Sequence, residues 1–203
     1  MPRHPILAAL ARARGPILWI ALVQAAGVAA GMIMVHSGNS FALEARDKLV
    51  GRAYTKDPAA LASKHNLPLR AALLDFVENL VLGAMPSTVM GLSIVMPFPV
   101  AAYRGWVGGI VSVDGAHQSR LRGWRDDAYY LGVLILQLIP YSLAGGAGIR
   151  LGLGFLMPRG RNGYQSDEKW FGLPAEGVRD VIGIYILAAP LFLSASLVEF
   201  LAH

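Results

Sequence analysis

The chain has no cysteine among its 203 residues, so disulfides, thiolate metal sites and thiol catalysis are excluded. Charge is scarce too: Lys, Arg, Asp and Glu make up 15% of the residues, against about a quarter in an average soluble domain. The histidines, His4, His36, His65, His117 and His203, all fall outside the apolar blocks, which leaves no candidate for an axial haem ligand at mid-membrane. There is no HExxH, no nucleophile elbow and no Cys–His pair. The common hydrolase chemistries therefore have no residues to work with. The glycine-rich stretch from Ala144 to Gly152 lacks the GxGxxG spacing, because position 151 is leucine. It also has no Walker lysine and follows an apolar block instead of a strand, so it is not a phosphate cradle.

What the chain does have is apolar sequence in long blocks, with 55% hydrophobic residues and a mean hydropathy of +0.48. Pro16 to Val35 carries no charge, and Gln24 is its only strongly polar side chain. Twenty residues at about 1.5 Å each cover about 30 Å, the thickness of a hydrocarbon core. Arg3, Arg12 and Arg14 precede this block. The block is longer than the apolar region of a signal peptide, which points to an uncleaved anchor, and the basic flank places the N-terminus in the cytoplasm. Residues 36–70 are charged and lack a long apolar run. This predicts extramembrane short helices on the far side, one opened by Asp57 as cap and Pro58 in the first turn.

The block from Ala71 to Val113 would measure roughly 65 Å as one helix, too long for a single crossing. Pro97 and Pro99 divide it into a helix near 72–96 and a shorter one near 100–115. The shorter one contains Arg104 and could instead lie at the interface. Polar loops near 116–128 and 156–178 flank a block from Tyr129 to Phe155, and Val181 to Leu201 is again long enough to cross. The expectation is one integral membrane domain over 1–203, an all-α transmembrane bundle. Its first span is 16–35 and the others lie within 71–201. Five spans are favoured over four, with the termini on opposite sides. The net charge of +5 sits at block flanks, where it orients helices and meets anionic lipid. No nucleic-acid partner is implied.

Small residues recur at helical spacing: Gly27 with Gly31, Gly105 with Gly109, and Gly148 with Gly152, with Gly145 a turn before. In lipid no hydrophobic effect draws helices together, so close backbone approach at such positions does. These are packing faces, within one chain or between chains. Polar residues inside apolar blocks are functional candidates. Asp75 and Glu78 share a helix face, with Asn79 beside them. They either complement the start of a helix near Leu69 or serve a site, with Arg104 and Arg150 as natural partners. Gln137 suits an interhelical hydrogen bond, and Glu199 lies near enough to a block end to snorkel.

Glu78-Asn79-Leu80-Val81-Leu82-Gly83, continuing to Arg104-Gly105-Trp106-Val107-Gly108-Gly109, resembles two segments of the stage II sporulation protein M family. Ala144 to Gly152 is similar to that family's small-residue run, and Ile186 to Leu201, with its late Glu199, to its closing helix. The resemblance implies a multi-pass bacterial or archaeal membrane protein of about five helices that recruits partners. The family's proline-histidine-glycine and glutamate are replaced here by Gly132, Val133, Leu134 and Gln137, which sets aside any ion-linked role for that site. Two functions follow as expectations. The first is a non-catalytic scaffold or accessory subunit of the bacterial cytoplasmic membrane, packed against other subunits or itself, with bound lipid but no cofactor or metal. The alternative is a small, homo-oligomeric transporter or channel.

Overall fold

The computed structural model of the chain describes residues 5–157, 164 and 168–201, with the side chain of Asp126 left out. Residues 158–163 and 165–167 of the 156–178 loop, together with Arg3, His4 and His203, lie outside the described residues. The described chain is almost entirely helical. Helix α1 (Pro5–His36) leads to α2 (Ser40–Lys56) and α3 (Pro58–Lys64), which sit at one end of the bundle. Then α4 (Pro68–Val77), a π-helical segment (Glu78–Ala84) and α5 (Met85–Met90) form one continuous rod ending in a 3-10 turn. Helix α6 (Pro97–Ile110) turns back, and α7 (Trp124–Leu156) and α8 (Ala175–Leu201) complete the bundle. A two-residue antiparallel ladder, Lys169–Trp170 with Leu173–Pro174, precedes α8.

Local signals explain most boundaries. Asn39 caps α2 through its side chain, and Asp57 caps α3 by accepting from the Ala59 and Ala60 amides, with Pro58 in the first turn. The first span extends well beyond 16–35: α1 continues through Pro16 back to Pro5. Proline removes one helical hydrogen bond and normally kinks or ends a helix. Here Ala9 and Ala13 before it pack against Ala147 and Ile184. Arg12 also donates to both carboxylate oxygens of Asp180, through Nε at 2.7 Å and through Nη2. Those contacts hold the extra turns in line. Likewise α7 starts at Trp124 and α8 at Ala175, so the two polar loops are shorter than their charge content suggests.

Contacts between helices fix their directions. Gly27 faces Ala102 and Trp106 while Gly31 faces Trp106 and Ile110, so α1 and α6 run parallel. Gly146 meets Ile17, and Ser142 donates to Gln24 at 2.6 Å, so α7 runs against α1. Gly83 meets Tyr141 and Gly91 meets Ile149, so the α4–α5 rod runs with α7. Gly177 meets Leu151, and Gln137 bonds Glu199, so α8 runs back. Five passes thus alternate in direction, and the first and last described residues, Pro5 and Leu201, lie at opposite ends of the bundle. Four of the passes are long and apolar enough to cross a membrane: Pro5–His36, Pro68–Ser93, Asp127–Leu156 and Ala175–Leu201. The fifth is shorter than a full span. At 14 residues, α6 rises only about 21 Å. Its tight entry passes through Ile94 at φ 64°, a strained conformation for a β-branched residue. Packing of Ile94 on the cluster of Ile20, Ala101 and Ile149 retains it.

The packing is inverted relative to a water-soluble bundle. Alanines fill the interior, among them Ala13, Ala71, Ala84, Ala144 and Ala188, all fully buried. Large apolar side chains face outward, with Leu18, Ile33, Leu82, Val89 and Ile135 each more than half exposed. A surface of that kind suits a hydrocarbon solvent, in keeping with four helices long and apolar enough to cross a membrane.

Candidate ligand cavity in the bundle

The glycines picked out by spacing meet inside one molecule. A Cβ on Gly105 would overlap the Gln24 carbonyl, and one on Gly109 the Val28 carbonyl, so α1 and α6 touch backbone to backbone. Gly148 and Gly152 meet Thr88 and Gly91 in the same way. Gly145 is different, since a Cβ there would make an ordinary 3.5 Å contact with Ile20. Spacing alone does not pick out Gly91 or Gly146, although both are as tightly pressed.

The other half of the bundle is polar. Helix α4 passes into its π-helical stretch at Glu78, shortly before Pro86, a residue with no N–H to return to the preceding turn. On this rod the Asp75 carboxylate accepts from Asn79 Nδ2 at 2.9 Å and from Ser196 Oγ of α8 at 2.7 Å. Tyr141 of α7 donates to Asn79 Oδ1 at 2.5 Å and sets its ring edge-on to Phe192. The Arg104 guanidinium of α6 lies over the Tyr141 ring, 3.9 Å from its centre. It also donates to the Gly83 carbonyl at 3.2 Å. One turn earlier on α7, Gln137 donates to the Glu199 carboxylate at 2.5 Å. Tyr129 closes the end by donating to the Val198 carbonyl at 3.2 Å, and Tyr130 donates to the Gly108 carbonyl.

These groups border a cavity of about 1180 Å³ between the rod, α6, α7 and the end of α8. That is at or above the usual size for a drug-sized ligand. Leu49 of α2 and Ser63 of α3 reach it from one end of the bundle, and Arg120, Arg122 and Arg125 stand at its exposed rim. The rim loop, residues 111–123, is pinned by two side-chain contacts. His36 Nε2 lies 3.0 Å from Ser119 Oγ, and His117 Nε2 2.9 Å from Asp47 Oδ2. Within the loop Arg122 pairs with Asp114 at 3.2 Å. The Gln118 and Ala116 amides, and then the Arg122 and Arg120 charges, hold the Asp114 carboxyl below its ordinary value. On α2, bonds from Arg46 first and His117 second do the same for Asp47.

Asn79, Arg104, Gln137 and Glu199 thus line one cavity, and Asp75 backs it through Asn79. Four sequence expectations change. Glu78 is exposed and does not join Asp75. Arg104 is linked to Asp75 only through Tyr141 and Asn79, with no direct ion pair among the described residues. Arg150 is at the opposite end, stacked on Tyr164 with its guanidinium 4.2 Å from the ring centre. Glu199 does not snorkel either: the bond from Gln137 turns it inward. Tyr141 and Ser196 escaped the sequence reading, yet the signal was there. Tyr141 lies four residues after Gln137, and Ser196 three before Glu199, so each shares a helix face with a polar residue already picked out. Among the described residues no group of three or more His, Cys, Asp or Glu side chains is arranged to hold a metal.

No protein-family model, no curated protein and no solved structure matches the chain.

Proposed function

We propose that the protein is a non-enzymatic, multi-pass protein of the bacterial cytoplasmic membrane, N-terminus inside, that takes a small amphipathic ligand into this cavity for binding or transport. The observation that carries the reading is the cavity itself. Asn79, Arg104, Gln137, Tyr141 and Glu199 are gathered from four parts of the fold around an open volume inside an otherwise apolar bundle. Polar groups are expensive in a hydrocarbon layer. A cluster that only tied helices together would close on itself and leave no room. The sequence supports a non-catalytic role through its lack of a thiol, a zinc motif or a nucleophile elbow.

A scaffold or accessory-subunit role, as the sporulation-family resemblance implies, is the second reading. Its glycine argument weakens, since Gly27, Gly31, Gly105 and Gly109 are filled within the chain. The outer stripe of α1 speaks for it: Leu18, Trp19, Leu22 and Ile33 are all well exposed and could seat a partner helix as readily as lipid. Purification in mild detergent followed by mass spectrometry of the intact complex tests the choice. A small amphiphile retained at about one per chain, without a partner protein, is the expected result. A stoichiometric partner protein and no retained small molecule would replace the cavity reading with the scaffold one.

A further inference from the structure

Resting on the cavity reading, we infer that the ligand carries a phosphate group, and that Arg104 binds it. Arg104 sits part-way along α6 on the inner wall of the cavity, where it donates from Nη2 to the Gly83 carbonyl and makes a side-chain contact with the Tyr141 hydroxyl. A guanidinium has five N–H donors, so most of its capacity is uncommitted. Stacking on Tyr141 fixes the plane of the group, as suits bidentate recognition of an oxyanion. No carboxylate among the described residues lies within ion-pairing distance of it. A cation inside an apolar bundle without a counter-charge is unfavourable, and an anionic ligand would supply one.

The rest of the lining agrees. Four arginines line the cavity, Arg104, Arg120, Arg122 and Arg125, against two carboxylates, Asp114 and Glu199. Both carboxylates are occupied, Asp114 by Arg122 and Glu199 by Gln137. Arg120 acts on Asp114 only through its charge, and Arg125 forms no ion pair among the described residues, so both would draw an anion inward. Between rim and Arg104 the wall carries apolar side chains, Val107, Val133, Leu134 and Leu138, beside Tyr130, Gln137 and Glu199, an amphipathic lining that suits a chain attached to the phosphate. The same phosphate chemistry could come from a phospholipid head group or from free phosphate.

The test is thermal stability and binding of the full-length protein in neutral detergent. The probes are inorganic phosphate, phosphatidylglycerol, and diacylglycerol as the phosphate-free amphiphile. Stabilisation by phosphatidylglycerol alone supports the inference and assigns a lipid source, and stabilisation by inorganic phosphate supports it with a free-anion source. In either case Arg104→Gln should weaken binding by about tenfold or more, the loss of one charge-assisted bidentate contact. Because Arg104→Gln also removes the Gly83 contact and could disturb folding, Arg125→Gln at the exposed rim provides the second variant. It should weaken binding less, while Arg14→Gln, outside the cavity lining, leaves it unchanged. Equal binding of diacylglycerol, or phosphate binding indifferent to both Arg104→Gln and Arg125→Gln, would overturn the inference and leave the cavity reading standing. Binding of none of the three probes, together with an empty cavity in the purified protein, would remove both.

Discussion

The two sides of α6 show how one short helix can serve two different environments. On the side of Ala101, Gly105 and Gly109, it presses against α1 so closely that backbone meets backbone, with the apolar side chains of Ile20 and Val23 beside Ala101. On the side of Arg104 and Gly108 it borders a cavity rimmed by arginines and tyrosines. Close packing on one side is what permits looseness on the other. With lipid as solvent, van der Waals contact must supply the association energy. The glycine seam concentrates that contact along α1, so α7 and α8 can stand apart from α6 without the bundle falling open.

Substitutions on α6 break this comparison most sharply. Gly105→Ala should cost about 1–3 kcal/mol by overpacking, because its Cβ would run into the Gln24 backbone and neither helix can move aside alone. Thermal unfolding in detergent checks this, and an unchanged midpoint would contradict the backbone contact. On the polar side, Ser196→Ala withdraws a donor from Asp75 and should cost on the order of 1 kcal/mol. A tighter test is the cycle with Asp75→Asn, which should show the two effects to be non-additive.

The two sides should also differ in their response to acid. Asp47 is held below its ordinary value of 3.8 by Arg46 and His117. A depressed folded value means that the tie stabilises the loop above that ordinary value and is lost as pH falls through the lower, folded one. Hydrogen exchange of loop residues 111–123 should therefore quicken below about pH 4, and Asp47→Asn should reproduce the faster exchange at neutral pH. Exchange along the α1–α6 seam should not follow. The smallest effect is expected at Gly108→Ala. Its Cβ would press closely on just the end of the Leu134 side chain, with Val28 at an ordinary 3.9 Å, and Leu134 can swing toward the cavity, so stability should shift by no more than about 0.5 kcal/mol.

The sequence made the greasy blocks, the cap at Asp57 and the break near Pro97 legible, because each depends on local chemistry. It left α1 too short, since only the tertiary contacts of Ala9, Arg12 and Ala13 carry a helix through Pro16. Candidate polar residues could be found from their setting in apolar blocks, but their partners could not. Whether Asp75 meets Arg104 or Ser196 depends on helix rotation, and rotation here follows from glycine contacts such as Gly91 with Gly148, whose first member has no spacing signal. The cavity itself was not legible, because empty space is a property of how five passes meet and not of any one of them.

Cysteine labelling tests most directly the claim that a polar, accessible cavity lies beside a lipid-facing surface, and the native chain supplies a cysteine-free background. Val133→Cys lines the cavity, while Ile135→Cys, two residues along α7, points outward and is 54% exposed on the bundle surface. In membranes, a charged, water-borne thiol reagent should modify the cysteine of Val133→Cys and spare that of Ile135→Cys. Protection of both, or modification of the Ile135→Cys variant alone, would contradict the cavity and the functional reading built on it.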